Sequence, residues 1–138
     1  MSFVLDSSVA LTWCFDDERT ATTDALLDRV TVLGAAAPSL WPLEVLNGLA
    51  MAERRGRLDA QRRQRMTSLL QALPVAIDPE TVRNAWQLTS HLAERFRLTV
   101  YDAAYLELAQ RMGLPLASLD QDLRAAGATL GVPLLGLP

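Results

Sequence analysis

Five short apolar runs, SFVLD, AAAPSL, PVAI, LPLASL and VPLLGL, recur along the chain with helix-like stretches between them. Strands separated by helices predict a parallel sheet with helices on both faces. The helices are expected from Ser7, from about Asp17 to Val30, and from about Leu40 to Arg55, where Gly56 breaks the pattern. Asp59 is placed to cap the next, which ends before Pro74, and Asp78-Pro79 reads as an N-cap with proline at the first helical position. That helix runs to about Arg97; TVYDAAYLELAQRMG reads as another, with Gly113 at its C-terminal end, and DQDLRAAG as a short last one. No linker, repeat or low-complexity tract interrupts the order, so residues 1–138 read as one α/β domain.

In a sheet of this kind ligands bind beyond the carboxyl ends of the strands. Two of the apolar runs end there in a carboxylate: SFVL in Asp6, and LPLASL in Asp120 with Asp122 two residues on. Two more acids stand alone in apolar helix starts. Glu44 is the single charge in LWPLEVLNGLAMA, and Asp102 the single charge in LTVYDAAYL. Each has an ordinary structural reading. Asp6 and Asp120 can cap helices, Thr99-x-x-Asp102 fits a capping box, and Glu44 sits where the helix dipole favours a negative charge. Together they carry more. With parallel strands all four can converge at one edge of the sheet, and clustered carboxylates repel unless a cation joins them. Carboxylate oxygens suit a hard divalent ion such as Mg²⁺ or Mn²⁺, whose natural substrate here is a phosphodiester. Hydroxyls at Ser8 and Ser118 stand near enough in sequence to orient a carboxylate or a water, or simply to cap a turn.

Composition removes several classes. One histidine, His91, and one cysteine, Cys14, argue against a zinc site and allow no intrachain disulfide. A net charge of −3 does not favour nucleic acid binding through bulk charge. All 13 basic residues are arginine. The missing lysine counts against a receiver domain and an aspartyl-phosphate phosphatase, and no G-x-x-x-x-G-K-[ST] motif supports a P-loop. Neither a signal peptide nor an apolar run of the ~18 residues a membrane span needs is evident, so a cytoplasmic protein is expected.

With these residues assembled, the sequence resembles the PIN-domain nucleases, and within them the VapC-type toxins of bacterial toxin–antitoxin pairs. VLDSSVALTW is similar to the family's opening strand with its first metal-binding aspartate, here Asp6, and a hydroxyl at Ser8. APSLWPLEVLNGL resembles the segment carrying the glutamate, here Glu44, and LTVYDAAYLELAQRMGLPL the helix with the third acid, here Asp102. LASLDQDL resembles a Thr-x-Asp pattern, here Ser118 and Asp120, and Asp122 fits a further acid found in some members. The resemblance implies a three-layer sandwich around a short parallel sheet. It implies RNA cleavage dependent on Mg²⁺ or Mn²⁺, with Asp6, Asp102 and Asp120 on the metal and Glu44 among the catalytic acids. A homodimer and an antitoxin that blocks the acidic site are implied as well. The alternative is a catalytically inactive PIN-like module that binds RNA or protein.

Three other features stand out. RRGRLDAQRRQR packs six arginines into the twelve residues Arg54 to Arg65, suited to RNA phosphates or antitoxin acids, or merely to two solvated helix ends. Trp41 and Tyr101 neighbour proposed site residues and read as core, or as platforms for a base.

Overall fold

Phe3, Val4 and Leu5 are wholly buried, and the strand they form, β1 (Val4–Leu5), is central in the computed structural model, which describes residues 2–138. On one side lie β2 (Ala35–Ala37) and then β3 (Val75–Ile77); on the other lie β4 (Leu116–Ala117) and then β5 (Leu134–Leu135). Every pairing is parallel, with Val4 between Ala36 and Leu116. Successive strand residues point to opposite faces. Since neighbours in β1, β2 and β4 are all buried, both faces of the sheet are covered, which makes the predicted three layers.

Local chemistry sets the helix ends. α1 (Ser7–Thr12) follows β1 directly. After a 3₁₀ turn at Asp16–Glu18, α2 (Ala21–Leu33) opens on a reciprocal cap between Thr20 and Thr23. α3 (Trp41–Arg54) has Pro42 in its first turn and α4 (Ala60–Ala72) is capped by Asp59, which accepts the Arg62 N–H at 2.7 Å. α7 (Val100–Met112) is capped by Thr99 and closed by Gly113 in the left-handed region. α8 (Gln121–Thr129) starts at Asp120. In α3, Gly48 leaves room for Leu11 of α1, whose Cδ1 lies 2.6 Å from where a Cβ would stand. One turn before Gly48 on the same face is Glu44.

The segment after β3 departs from expectation. Asp78 does not open a helix. α5 (Thr81–Asn84) begins three residues later and passes through a π-helical stretch, Ala85–Thr89, into α6 (Ser90–Phe96). The Asp78 carboxylate is held elsewhere, by Arg111 of α7 at 2.6 and 3.3 Å and by the Thr81 hydroxyl at 3.0 Å. Arg111 also binds the buried Glu107 at 2.7 Å, so one guanidinium joins two buried acids and ties the end of β3 to α7. Burial pushes the Asp78 carboxyl up, but Arg111, the Glu80 N–H and Thr81 outweigh it and hold it below its ordinary value.

The arginine-rich turn is half engaged. Arg57 pairs with Glu18 at 2.8 Å and Asp17 at 3.2 Å and stacks on Phe15; Arg62 faces Asp16, and Arg63 pairs with Glu53. The Arg57 and Arg62 contacts pin the α3–α4 turn to the 3₁₀ turn after α1, and the Arg63 pair ties α4 to α3. No helix among the described residues is long and apolar enough to cross a membrane.

Candidate active site

Asp6 is the residue after β1, and only 3% of it is exposed. It occupies the N-cap position of α1, yet its carboxylate makes no capping bond. Instead Oδ2 accepts two hydroxyls, Ser8 Oγ at 2.6 Å and Ser118 Oγ at 2.8 Å, the second from the end of β4. Among the described residues Oδ1 has no hydrogen-bond partner. A buried carboxylate is costly unless compensated. Here burial pushes the Asp6 carboxyl above its ordinary value, the two serines oppose that, and the charges of Glu44 and Asp120 push it further up.

Glu44, in the first turn of α3, is held in a similar way. Its Oε1 accepts the Tyr105 hydroxyl at 2.6 Å and, at 3.4 Å, that of Ser7. Tyr105 is wholly buried on α7, one turn after Asp102. Burial first, and then the Glu44 carboxylate, push the phenol far above its ordinary value, so it remains a donor.

Asp102 is half-buried. Thr99 caps α7 through the Asp102 N–H at 3.1 Å. Burial raises the Asp102 carboxyl, and the charges of Asp120, Asp6 and Asp122 raise it further. Asp120 caps α8 through Oδ1, which accepts the Leu123 N–H at 2.8 Å, and its own N–H is bound by Ser118 Oγ. Asp122 is exposed on the first turn of α8.

The four predicted acids therefore share one electrostatic neighbourhood at the carboxyl ends of β1 and β4. Three of the ordinary readings also hold: Asp120 is a cap, Thr99 caps through the Asp102 N–H, and Glu44 lies in the first turn of α3, whereas Asp6 makes no capping bond. Among the described residues no arginine pairs with any of the four acids. Nor do three His, Cys, Asp or Glu side chains there form a ready-made metal cage. Mg²⁺ needs only one or two carboxylates, completing its shell with water and phosphate oxygens. The donor set is thus carboxylate oxygen without a neutralising cation of its own, which fits a hard ion.

Ser8 and Ser118 make both kinds of bond that the sequence allows: each donates to the Asp6 carboxylate, and each accepts a backbone N–H, from Leu119 and Asp120 respectively. Trp41 is core, while Tyr101 is 64% exposed beside Asp102. Tyr105 is not among the residues that the sequence motifs single out. Its position three residues after Asp102, on the same helix face, is the signal that could have found it.

A family model described as the PIN domain matches residues 3–128. The chain belongs to the PIN-domain family. This PIN-domain chain is 30% identical over 137 residues to ribonuclease VapC3 of Pyrobaculum aerophilum, spanning 96% of this chain and all of that one. It superposes on the crystal structure of PAE2754 from Pyrobaculum aerophilum with a TM-score of 0.71 and 25% identity, over 97% of this chain and 83% of the other. A toxin–antitoxin complex from Klebsiella pneumoniae contains the same fold, with a TM-score of 0.60 and 17% identity over 88% and 89% of the two chains. The family and the parallel sheet are those the sequence motifs predicted.

Proposed function

We propose that this PIN-domain chain is an endoribonuclease dependent on Mg²⁺ or Mn²⁺ and the toxin of a toxin–antitoxin pair. The observation that carries the reading is Asp6: a buried carboxylate with one oxygen pinned by two serines, the other without a protein partner among the described residues, and two further acids, Glu44 and Asp120, close enough to raise it. A phosphodiester entering this pocket meets like charge, which a bound cation would offset. Asp6, Asp102 and Asp120 would hold that ion. When bound, such an ion lowers the pKa of a water and polarises a phosphoryl oxygen. The chain supplies the orientation. Ser8 and Ser118 fix the Asp6 carboxylate, Asp120 is fixed by its own cap, and Glu44, with Oε1 taken, has Oε2 to accept a hydrogen bond from the attacking water. Identity to a protein named a ribonuclease supports RNA as the substrate, and the fold shared with a toxin–antitoxin complex supports an antitoxin partner.

A homodimer in the cytoplasm is part of the proposal. Val82, Trp86, Val100 and Tyr101 are more than half exposed and line one depression, with no charged residue in its lining. Two copies can oppose such a patch about a two-fold axis without setting like charges together.

The test is direct. End-labelled RNA incubated with the protein and Mn²⁺ should be cut internally, EDTA should stop it, and Asp6→Asn and Asp102→Asn should abolish it in folded protein. RNA left intact with both metals would overturn the nuclease. Expression alone should arrest growth, and co-expression of a short frame upstream of the gene should relieve it; harmless expression of folded, soluble protein would overturn the toxin.

A further inference from the structure

Two acids of the pocket are held alike. Glu44 and Asp6 each have one oxygen taken by two hydroxyls and the other without a protein partner among the described residues. For Asp6 the hydroxyls come from Ser8 in the first turn of α1 and from Ser118 just past β4. For Glu44 the short bond comes from Tyr105, 61 positions away on a different helix. Tyr105 is wholly buried, and its ring is fixed among core side chains, so its hydroxyl has little freedom to follow a moving partner. Asp102 lies one turn earlier on the same helix. A displacement of α7 relative to α3 would therefore move Glu44 through its hydrogen bond while it moved Asp102 directly.

We infer that Tyr105 is a positioning residue: its hydroxyl, 2.6 Å from Glu44 Oε1, sets which Glu44 oxygen faces the pocket and keeps Glu44 in register with Asp102. The inference rests on the proposed nuclease reading. A plain structural reading also exists, in which a buried phenol merely finds an acceptor. The two differ in what depends on Glu44. A structural hydroxyl contributes stability whatever stands at position 44. A positioning hydroxyl affects catalysis and metal binding only while the Glu44 carboxylate is present.

Four full-length proteins separate these: wild type, Tyr105→Phe, Glu44→Gln and the double variant. On RNA with Mn²⁺, Tyr105→Phe should lower kcat by roughly tenfold or more with KM for RNA nearly unchanged, the cost of a misplaced group rather than lost binding. In the Glu44→Gln background the same change should add nothing. Binding of Mn²⁺ without RNA, read from the electron paramagnetic resonance of free Mn²⁺, should weaken severalfold on Tyr105→Phe and not further in the double variant. Equal kcat and equal Mn²⁺ binding in wild type and Tyr105→Phe would overturn the inference, as would an undiminished effect of Tyr105→Phe in the Glu44→Gln background. A wild type that binds Mn²⁺ but cuts no RNA sinks the proposed function alone, and the binding data still decide the role of Tyr105. Should Tyr105→Phe not fold, the chain's two tyrosines allow a second measurement on wild type. With 3-fluorotyrosine at both, the ¹⁹F resonance of the buried ring should move on Glu44→Gln and on addition of Mg²⁺; a resonance unmoved by either overturns the inference.

Discussion

Ser118 Oγ donates to Asp6 Oδ2 at 2.8 Å, joining the ends of β4 and β1 across 112 positions of sequence. The same oxygen accepts the N–H of Asp120 at 3.1 Å, so one wholly buried hydroxyl orients two pocket acids. Ser118→Ala should leave Asp6 short of a donor and cost about 1–3 kcal/mol of stability, the usual penalty for a buried polar group left short. Cleavage should fall with it. Ser118→Thr keeps the hydroxyl and should retain activity. Urea denaturation and RNA cleavage of the two variants check this; an alanine variant equal to wild type in both would remove Ser118 from the site.

The pocket acids should make the metal-free protein less stable than it need be. Asp6 and Asp102 have folded carboxyl values above the ordinary ones. A group raised on folding binds protons more readily in the native state, so its penalty is full well above the folded value and is relieved as pH falls toward and through it. Asp6→Asn should therefore raise the melting temperature of the metal-free protein at neutral pH and flatten the part of the pH profile just above the ordinary carboxylate range. Mn²⁺ should raise the melting temperature of wild type, by about 2.7 kcal/mol of stability at a hundredfold excess over Kd, and act weakly on the variant. Calorimetry with and without metal decides it: if Asp6→Asn melts lower than wild type and neither responds to metal, Asp6 is a structural carboxylate.

Asp78 should act with the opposite sign. Its folded value is depressed, so the stability it contributes is present above the ordinary carboxylate value and lost as pH falls through the folded one. Arg111→Met would strand Asp78 and Glu107 in the interior without their cation, at a cost of about 3–5 kcal/mol. The loss should be largest at neutral pH and shrink in acid as Asp78 protonates. Denaturant midpoints across that range measure it; a loss independent of pH would mean that packing, and not charge, makes the contact.

Trp86 is 84% exposed within the uncharged face proposed for the dimer. Trp86→Glu would set two negative charges across a two-fold contact and should give a folded monomer, read by light scattering at micromolar concentration. A wild type that is itself monomeric there, or a variant that remains a dimer, would place the interface elsewhere or nowhere.

Much of this architecture was legible in sequence because it is written in neighbours. The five apolar runs became five parallel strands, trimmed to two or three residues where ladder pairing ends. Asp59, Thr99 and Asp120 cap helices through an N–H three residues on, a bond that needs no tertiary partner. The four acids were visible as charges in apolar company, and burial bears that out for Asp6 most strongly. Where local rules failed, a distant group had taken the side chain. Asp78-Pro79 has the form of a helix start, but Arg111, 33 positions on, claims the carboxylate, and a charge-assisted pair outweighs a cap. The Tyr105–Glu44 bond was invisible for the same reason: nothing within a turn of either residue names the other, and the two meet only because α3 and α7 pack beside one end of the sheet. Sequence by itself determined which residues could be acids of a site and which strand ends would carry them. Tertiary structure alone decided which oxygen of each acid is taken and which is left, because that depends on hydroxyls brought in by other elements over distances no local periodicity encodes.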